Sequence, residues 1–272
     1  MNCEDKGHRL IGEDSYFENN FGSYSLRGRI LYNTEHDQPW VLSVHGARSD
    51  YAKSDTVTAG VRDRGYSVLG FNMSGHNPGS NIALEQTTLG NNIRETEAFY
   101  SYLDKRRKKA IIAYSLGATP ALKILDSHLD EVDRIVLFGP AVYSVHAYDK
   151  TFGEEFRKTT SKPFSYRGND VIAKLEAFPG KLLLIKGEYD GLAPLAYGKP
   201  PGTSAGKVEI GGNVYYSPIP QEVIEMILSA ITPERREMIV IPGSDHSVVP
   251  WITAHPTEGA SILDRIAVFL QS

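Results

Sequence analysis

Three short stretches carry residues that could act together on a carbonyl group. "AYSLGA" holds Ser115, "KGEYDGLAP" holds Glu188 and Asp190, and "PGSDHSV" holds His246. A serine hydroxyl is a weak nucleophile at neutral pH. It needs a base to take its proton, a third group to orient that base, and donors for the oxyanion that forms on attack. Ala113-Tyr114-Ser115-Leu116-Gly117 approximates G-x-S-x-G, with alanine in first place. Small residues are needed there because the turn is tight and neighbouring backbone packs against it. Taken alone, such a serine could equally cap a helix. Asp190 is the preferred acid because it follows an apolar run in a glycine-flanked turn, with Glu188 as the backup and Asp149 as a third choice. His246 closes the order serine, acid, histidine. Its neighbour Asp245 is expected to be structural, since it cannot easily face the same ring. One oxyanion donor should be the backbone N–H of Leu116, at a helix N-terminus where the dipole favours an anion. The other should be Ala47, after His45-Gly46, where glycine lets the chain turn close to a substrate. His45 itself reads as a packed structural histidine rather than a chemical one.

The elements around these residues supply the missing context. "SYFENNFGSYSLRGRILYN" reads as two strands around Asn19, Asn20 and Gly22. "WVLSVHG" is a short, nearly continuous apolar run, as in a strand buried on both faces. A helical stretch follows and ends at Gly65, and "YSVLGFN" is again a strand. "ALEQTTLGNNIRETEAFYSYLDKR" places Leu89, Ile93, Phe99 and Leu103 at helical spacing. "AIIAY" is a strand and "LGATPALKILDSH" a helix, with Pro120 early enough to be tolerated. "RIVLFGPAV", "KLLLIKGEYD" and "REMIVIPGSD" are further strands, and "IPQEVIEMILSAI" and "GASILDRIAVFL" are helices. Such alternation predicts an α/β fold: a mostly parallel central sheet with helices on both faces. Ligands on these sheets bind beyond the C-terminal strand ends, which is where Ser115, Asp190 and His246 fall.

Two segments interrupt the alternation. Residues 144–180 carry Tyr148, Phe152, Phe156, Phe164 and Tyr166 and read as a short cap insertion. Residues 192–217 read as a lid insertion, with "KVEIGGNVYY" a hairpin turning at Gly211-Gly212. Loops of that length usually serve a function or are disordered. Both follow strands, so both could roof one face. The stretch 195–216 could also be the contact of a homodimer.

The chain has 272 residues, 41% hydrophobic and 23% charged, which suits one α/β domain spanning 1–272 with the two insertions. A net charge of −4 gives no electrostatic case for a nucleic-acid partner. The basic run Lys105 to Lys109 is expected to be a solvated helix end. Cys3 is the one cysteine, so no disulfide framework forms within a chain. No stretch has the apolar length of a membrane span and the N-terminus lacks a signal-peptide core, so a cytoplasmic protein is expected. His45, His76, His128, His146, His246 and His255 show no H-x-x-x-H spacing. No nucleotide or flavin motif is visible either. Neither a metal nor any other cofactor is therefore expected.

With these motifs in order, the sequence resembles the α/β-hydrolase superfamily of serine hydrolases over roughly residues 14 to 271. "VHGARSD", "GYSVLGFNMSGHNPGS", "AYSLGA", "GEYDGLAP" and "PGSDHSV" are similar to its successive landmarks. The resemblance implies Ser115 as nucleophile, Asp190 as acid, His246 as base, and Ala47 and Leu116 as oxyanion donors. Many relatives read D-x-R-G-H-G-x-S after the fourth strand. This chain has Asn72-Met73-Ser74-Gly75-His76-Asn77-Pro78-Gly79-Ser80 instead. The expected activity is hydrolysis of a carboxylic ester or thioester, from a small-molecule or carrier-bound acyl substrate, through an acyl-enzyme on Ser115. His45, Tyr114, Tyr148, Phe152, Phe156 and Tyr189 are candidates for the pocket. Amide or peptide cleavage and acyl transfer use the same triad. A catalytically inactive binding protein is the reading from a different class, disfavoured because it would have little need to keep serine, acid, histidine and the HG turn together.

Overall fold

A computed structural model describes residues 14–33, 38–77, 80, 82–193 and 206–272. Cys3 and residues 194–205 of the lid insertion lie outside the described residues. In chain order the elements are β1 (Asp14–Asn20), β2 (Ser25–Leu31), β3 (Val41–Val44), α1 (Asp55–Arg62), β4 (Val68–Phe71), α2 (Leu89–Tyr100), β5 (Lys109–Tyr114), α3 (Ala118–Lys123), α4 (Leu125–His128) and β6 (Val132–Phe138). After β6 come α5 (Glu154–Thr160), α6 (Val171–Ala177), β7 (Lys181–Gly187), β8 (Gly191–Ala193), β9 (Lys207–Ile210), β10 (Asn213–Tyr216), α7 (Gln221–Ala230), β11 (Arg236–Ile241), α8 (Val248–Ala254) and α9 (Pro256–Gln271).

Eight strands form one open sheet in the order β1-β2-β4-β3-β5-β6-β7-β11. The pairs β1–β2 and β2–β4 are antiparallel, and the remaining pairs run parallel. The residues of β5 show why its run is apolar throughout. Ala110 and Ile112 pack with Val57 and Val61 of α1 and Ile252 of α8. Ile111 and Ala113 point the other way, to Phe99 of α2, Leu122 of α3 and Leu175 of α6. Alternate side chains thus feed two separate cores, so neither face can be polar. On the α2 side, Phe71 and Phe99 stack with ring centroids 4.4 Å apart, both fully buried.

Two helical expectations need correction. The stretch ending in the basic run is helical only over Leu89–Tyr100, opened by Thr88, whose hydroxyl accepts the Asn91 N–H at 3.1 Å. The basic run lies in the turn beyond and therefore caps no helix. Its last member, Lys109, is the first residue of β5, buried and paired with Glu131 at 2.9 Å. The helix after Ser115 is likewise broken: a short 3₁₀ turn at 115–117, then α3, then α4. Pro120 sits in the first turn of α3, where its missing N–H costs no bond.

Residues 144–180 contribute α5 and α6 between β6 and β7, and β9 and β10 form a two-stranded antiparallel hairpin turning at Gly211-Gly212. No helix among the described residues is long and apolar enough to cross a membrane. Phe99→Ala should cost about 3–5 kcal/mol of stability through the cavity it leaves. Urea unfolding checks this, and a loss below about 1 kcal/mol would mean that the stack contributes little.

Candidate active site

Ser115 leaves β5 with φ +48°, a left-handed conformation that a non-glycine residue adopts at a cost of about 1–3 kcal/mol. Close packing on both sides enforces it. A side chain at Gly117 would collide with the carbonyl oxygens of Val44 and His45. A methyl group at Gly46 would sit 3.3 Å from Ser115 Cβ. The turn after β5 is therefore pressed against the end of β3, and both glycines are there for space.

The Ser115 hydroxyl lies 2.9 Å from His246 Nε2, and Asp190 Oδ2 lies 2.7 Å from His246 Nδ1. Three strand ends supply these groups: β5, β7 and β11. Gly139, just after β6, makes room between them. A methyl group there would stand 2.9 Å from both Asp190 Oδ2 and His246 Nδ1. Asp190 is fully buried, and its other oxygen accepts the Gly191 N–H at 3.1 Å. Glu188 is exposed and accepts the Gly243 N–H at 2.8 Å, away from the ring. Asp149 is exposed and pairs with Lys150. Asp245 accepts the backbone N–H groups of Tyr216 and Ser247, each at 2.8 Å. His246 N–H in turn donates to Tyr216 O at 2.8 Å, and the two rings meet edge-on at 5.4 Å. The β9–β10 hairpin is thereby tied to the histidine loop.

Other polar groups hold the loops without facing the serine. Lys186 is buried, and its ammonium donates to the carbonyls of Asp190 at 2.5 Å and Gly187 at 3.2 Å. Burial pulls its pKa down. His45 Nδ1–H donates to Gly46 O at 2.7 Å, and its Nε2 accepts the Met73 N–H at 2.9 Å. His76 bonds Asn92 Oδ1 at 2.9 Å and accepts the Arg48 N–H at 3.4 Å. Burial brings both rings down to about 4. Each is neutral in the fold and fixes its tautomer by its partners.

Two cavities flank Ser115. One of about 450 Å³ is lined by Ser115, His246, His45, Tyr114, Arg48 and Lys53 among others. The second, of about 850 Å³, is lined by Leu116, His76, Tyr143, Phe152, Phe156, Arg157 and Lys207. Ala47, Arg48 and Tyr216 border both. The segment that holds α5 and the β9–β10 hairpin thus border one space. Of the pocket candidates, His45, Tyr114, Phe152 and Phe156 line a cavity. Tyr148 and Tyr189 do not. Tyr148 turns its hydroxyl to Asp170 at 2.7 Å, and Tyr189 stacks on Tyr215 at 3.9 Å. Both found partners within their own surroundings, which aromatic content alone does not reveal. Arg48, Lys186 and Tyr216 were missed because nothing in their sequence context marks them. The one local cue is that Tyr216 ends the "NVYY" strand. Among the described residues no group of three or more metal-binding side chains occurs.

Residues 35–192 match the model of the family described as serine aminopeptidase, S33. None of the curated proteins matches the chain. Several solved structures share its fold. An esterase of Pyrococcus furiosus is 21% identical, with 96% of this chain and 91% of that one covered and a TM-score of 0.59. A thioesterase domain from the curacin biosynthetic pathway is 12% identical over 92% and 99%, with a TM-score of 0.60. A putative hydrolase from Agrobacterium vitis is 15% identical over 95% and 98%, with a TM-score of 0.63.

The two neutral histidines set an acid limit. The unfolded chain takes up protons on them near pH 6.5, the folded chain only near pH 4. Stability should therefore fall as pH drops through that window, by up to about 1.4 kcal/mol per pH unit for each ring. In urea titrations His76→Gln should flatten that slope. Equal slopes for variant and wild type would clear His76 of any part in it.

Proposed function

Because the chain belongs to the S33 serine aminopeptidase family of α/β-hydrolases, we propose that it cleaves a carboxylic ester or thioester through an acyl-enzyme on Ser115. The hydrogen-bonded chain from Ser115 through His246 to Asp190 carries this reading. His246 Nε2 takes the hydroxyl proton as Ser115 Oγ attacks the carbonyl carbon. Asp190 holds the ring through Nδ1–H and stabilises the imidazolium that forms. The oxyanion meets the backbone N–H groups of Leu116 and Ala47, which stand at the helix turn after β5 and in the loop after β3. His246 then returns the proton to the leaving oxygen or sulfur. A water activated by the same ring resolves the acyl-enzyme.

Ester chemistry suits the surroundings better than aminopeptidase chemistry. Recognition of a free α-ammonium group calls for carboxylates facing the cleft. The smaller cavity is lined by Arg48 and Lys53 and by no free carboxylate. The larger has Glu85 alone, against Arg48, Arg157 and Lys207. The aromatic floor of Tyr143, Phe152 and Phe156 suits an apolar portion of the substrate. The single cysteine suits a reducing, cytoplasmic setting.

A fluorophosphonate probe should label the wild type and leave Ser115→Ala unlabelled. That variant should lose at least about a thousandfold in kcat on aryl esters. A folded Ser115→Ala that keeps full turnover would overturn the assignment. Asp190→Asn should lose a comparable factor in kcat while Glu188→Gln stays near wild type. The opposite pattern would make Glu188 the acid.

A further inference from the structure

We propose that the smaller cavity beside Ser115 holds an oxyanion of the substrate, so that the preferred ester or thioester carries a carboxylate or phosphate near its scissile carbonyl. This rests on the hydrolase reading above and narrows its substrate class.

Three observations converge. First, Arg48 and Lys53 line this cavity, and neither makes an ion pair among the described residues, although the chain as a whole is net negative. The nearby carboxylates are otherwise engaged. Asp50 accepts the Lys53 backbone N–H at 3.0 Å, and Asp55 pairs with Arg29. Second, the Lys53 ammonium is tied to the loop that carries Arg48. Lys53 Nζ donates to the backbone carbonyl of Arg48 at 3.4 Å. An anion in the cavity would be drawn by both charges. Third, Arg48 itself has φ +52°, a strained conformation for an arginine. Its N–H is fastened to His76 at 3.4 Å. Strain kept at a site border is the mark of a residue aimed for a purpose.

Tyr114 is 8% exposed and its ring forms part of the same cavity wall, with its hydroxyl turned away into the interior beside Ser43 and Ser54. Burial raises the phenol pKa, so the group stays neutral and adds no negative charge to that space. Two cations in the lining of one space that holds no carboxylate are the groups that bind a carboxylate or phosphate. With the anion there, the apolar remainder reaches across Ala47 into the larger cavity.

Matched ester pairs test this on the full-length protein. The first pair is p-nitrophenyl hydrogen adipate and its methyl ester, with the acid on the acyl side. The second is the butanoyl ester of a phenol bearing a propanoate side chain and the corresponding methyl ester, with the acid on the leaving side. A third replaces that propanoate by a phosphate monoester, which tells carboxylate from phosphate. At low salt the charged member of one pair should exceed its neutral partner at least tenfold in kcat/KM. That ratio should fall towards one in high salt, in Arg48→Met and in Lys53→Met. The ratio is internal to each variant, and the salt series needs no variant at all. No preference in any pair, or a preference indifferent to salt, would overturn the proposal. Fluorophosphonate labelling separates the two failures: labelled Ser115 without an anion preference sinks this inference alone, and an unlabelled folded protein sinks the hydrolase reading beneath it.

Discussion

The turn at Ser115 is the constraint on which the rest of the site depends. It must reverse the chain between a central strand and a helix with its hydroxyl turned outward, and a positive φ at a serine is the cost. That conformation persists only if its surroundings leave no alternative. Gly117 against the carbonyls of Val44 and His45, and Gly46 against Ser115 itself, supply the pressure. Both contacts require β3 and β5 to be adjacent and parallel, with Val44 opposite Ala113. Sheet order therefore sets the strain at one residue.

Around that turn, several polar side chains fix the loops. Lys186 holds the turn that carries Asp190, His45 joins the ends of β3 and β4, and Asp245 joins the histidine loop to the hairpin. Lys186 braces its own turn, whereas His45 and Asp245 each accept a backbone N–H from another loop. Losing one partner would leave a buried donor or acceptor unmatched, which is why such brackets favour a single arrangement. The neutrality of His45 and His76 belongs to the same logic, because a charged ring in that position would lose an acceptor as well as its solvation.

The larger cavity has aromatic walls and the smaller one has two cations and no carboxylate in its lining. A substrate spanning them would be apolar at one end and negative at the other, with its carbonyl near Ala47 and Ser115. Arg48 and Tyr216 border both spaces. They come from the loop after β3 and the hairpin after β8, two segments that meet only in the folded chain.

The sequence by itself determined the strands, their mostly parallel arrangement and the order of the reactive side chains. Apolar runs such as "AIIAY" bury both faces, and that requirement is written in composition and period. The G-x-S-x-G-like elbow is local, set by small residues within one turn, so Ser115 was visible before any fold. Only tertiary structure decided which acid meets the ring. Asp190 and Glu188 are two residues apart, and whether a carboxylate reaches His246 depends on the turn that Lys186 holds. Tertiary structure also moved Lys109 out of the basic run into a buried strand and removed Tyr148 and Tyr189 from the cleft. It also set the Lys53 ammonium against the Arg48 backbone carbonyl. The physical reason is common to all of these. Periodicity reports which face of an element is apolar, whereas a hydrogen bond or charge contact reports which two elements meet, and that is settled by packing across the whole chain.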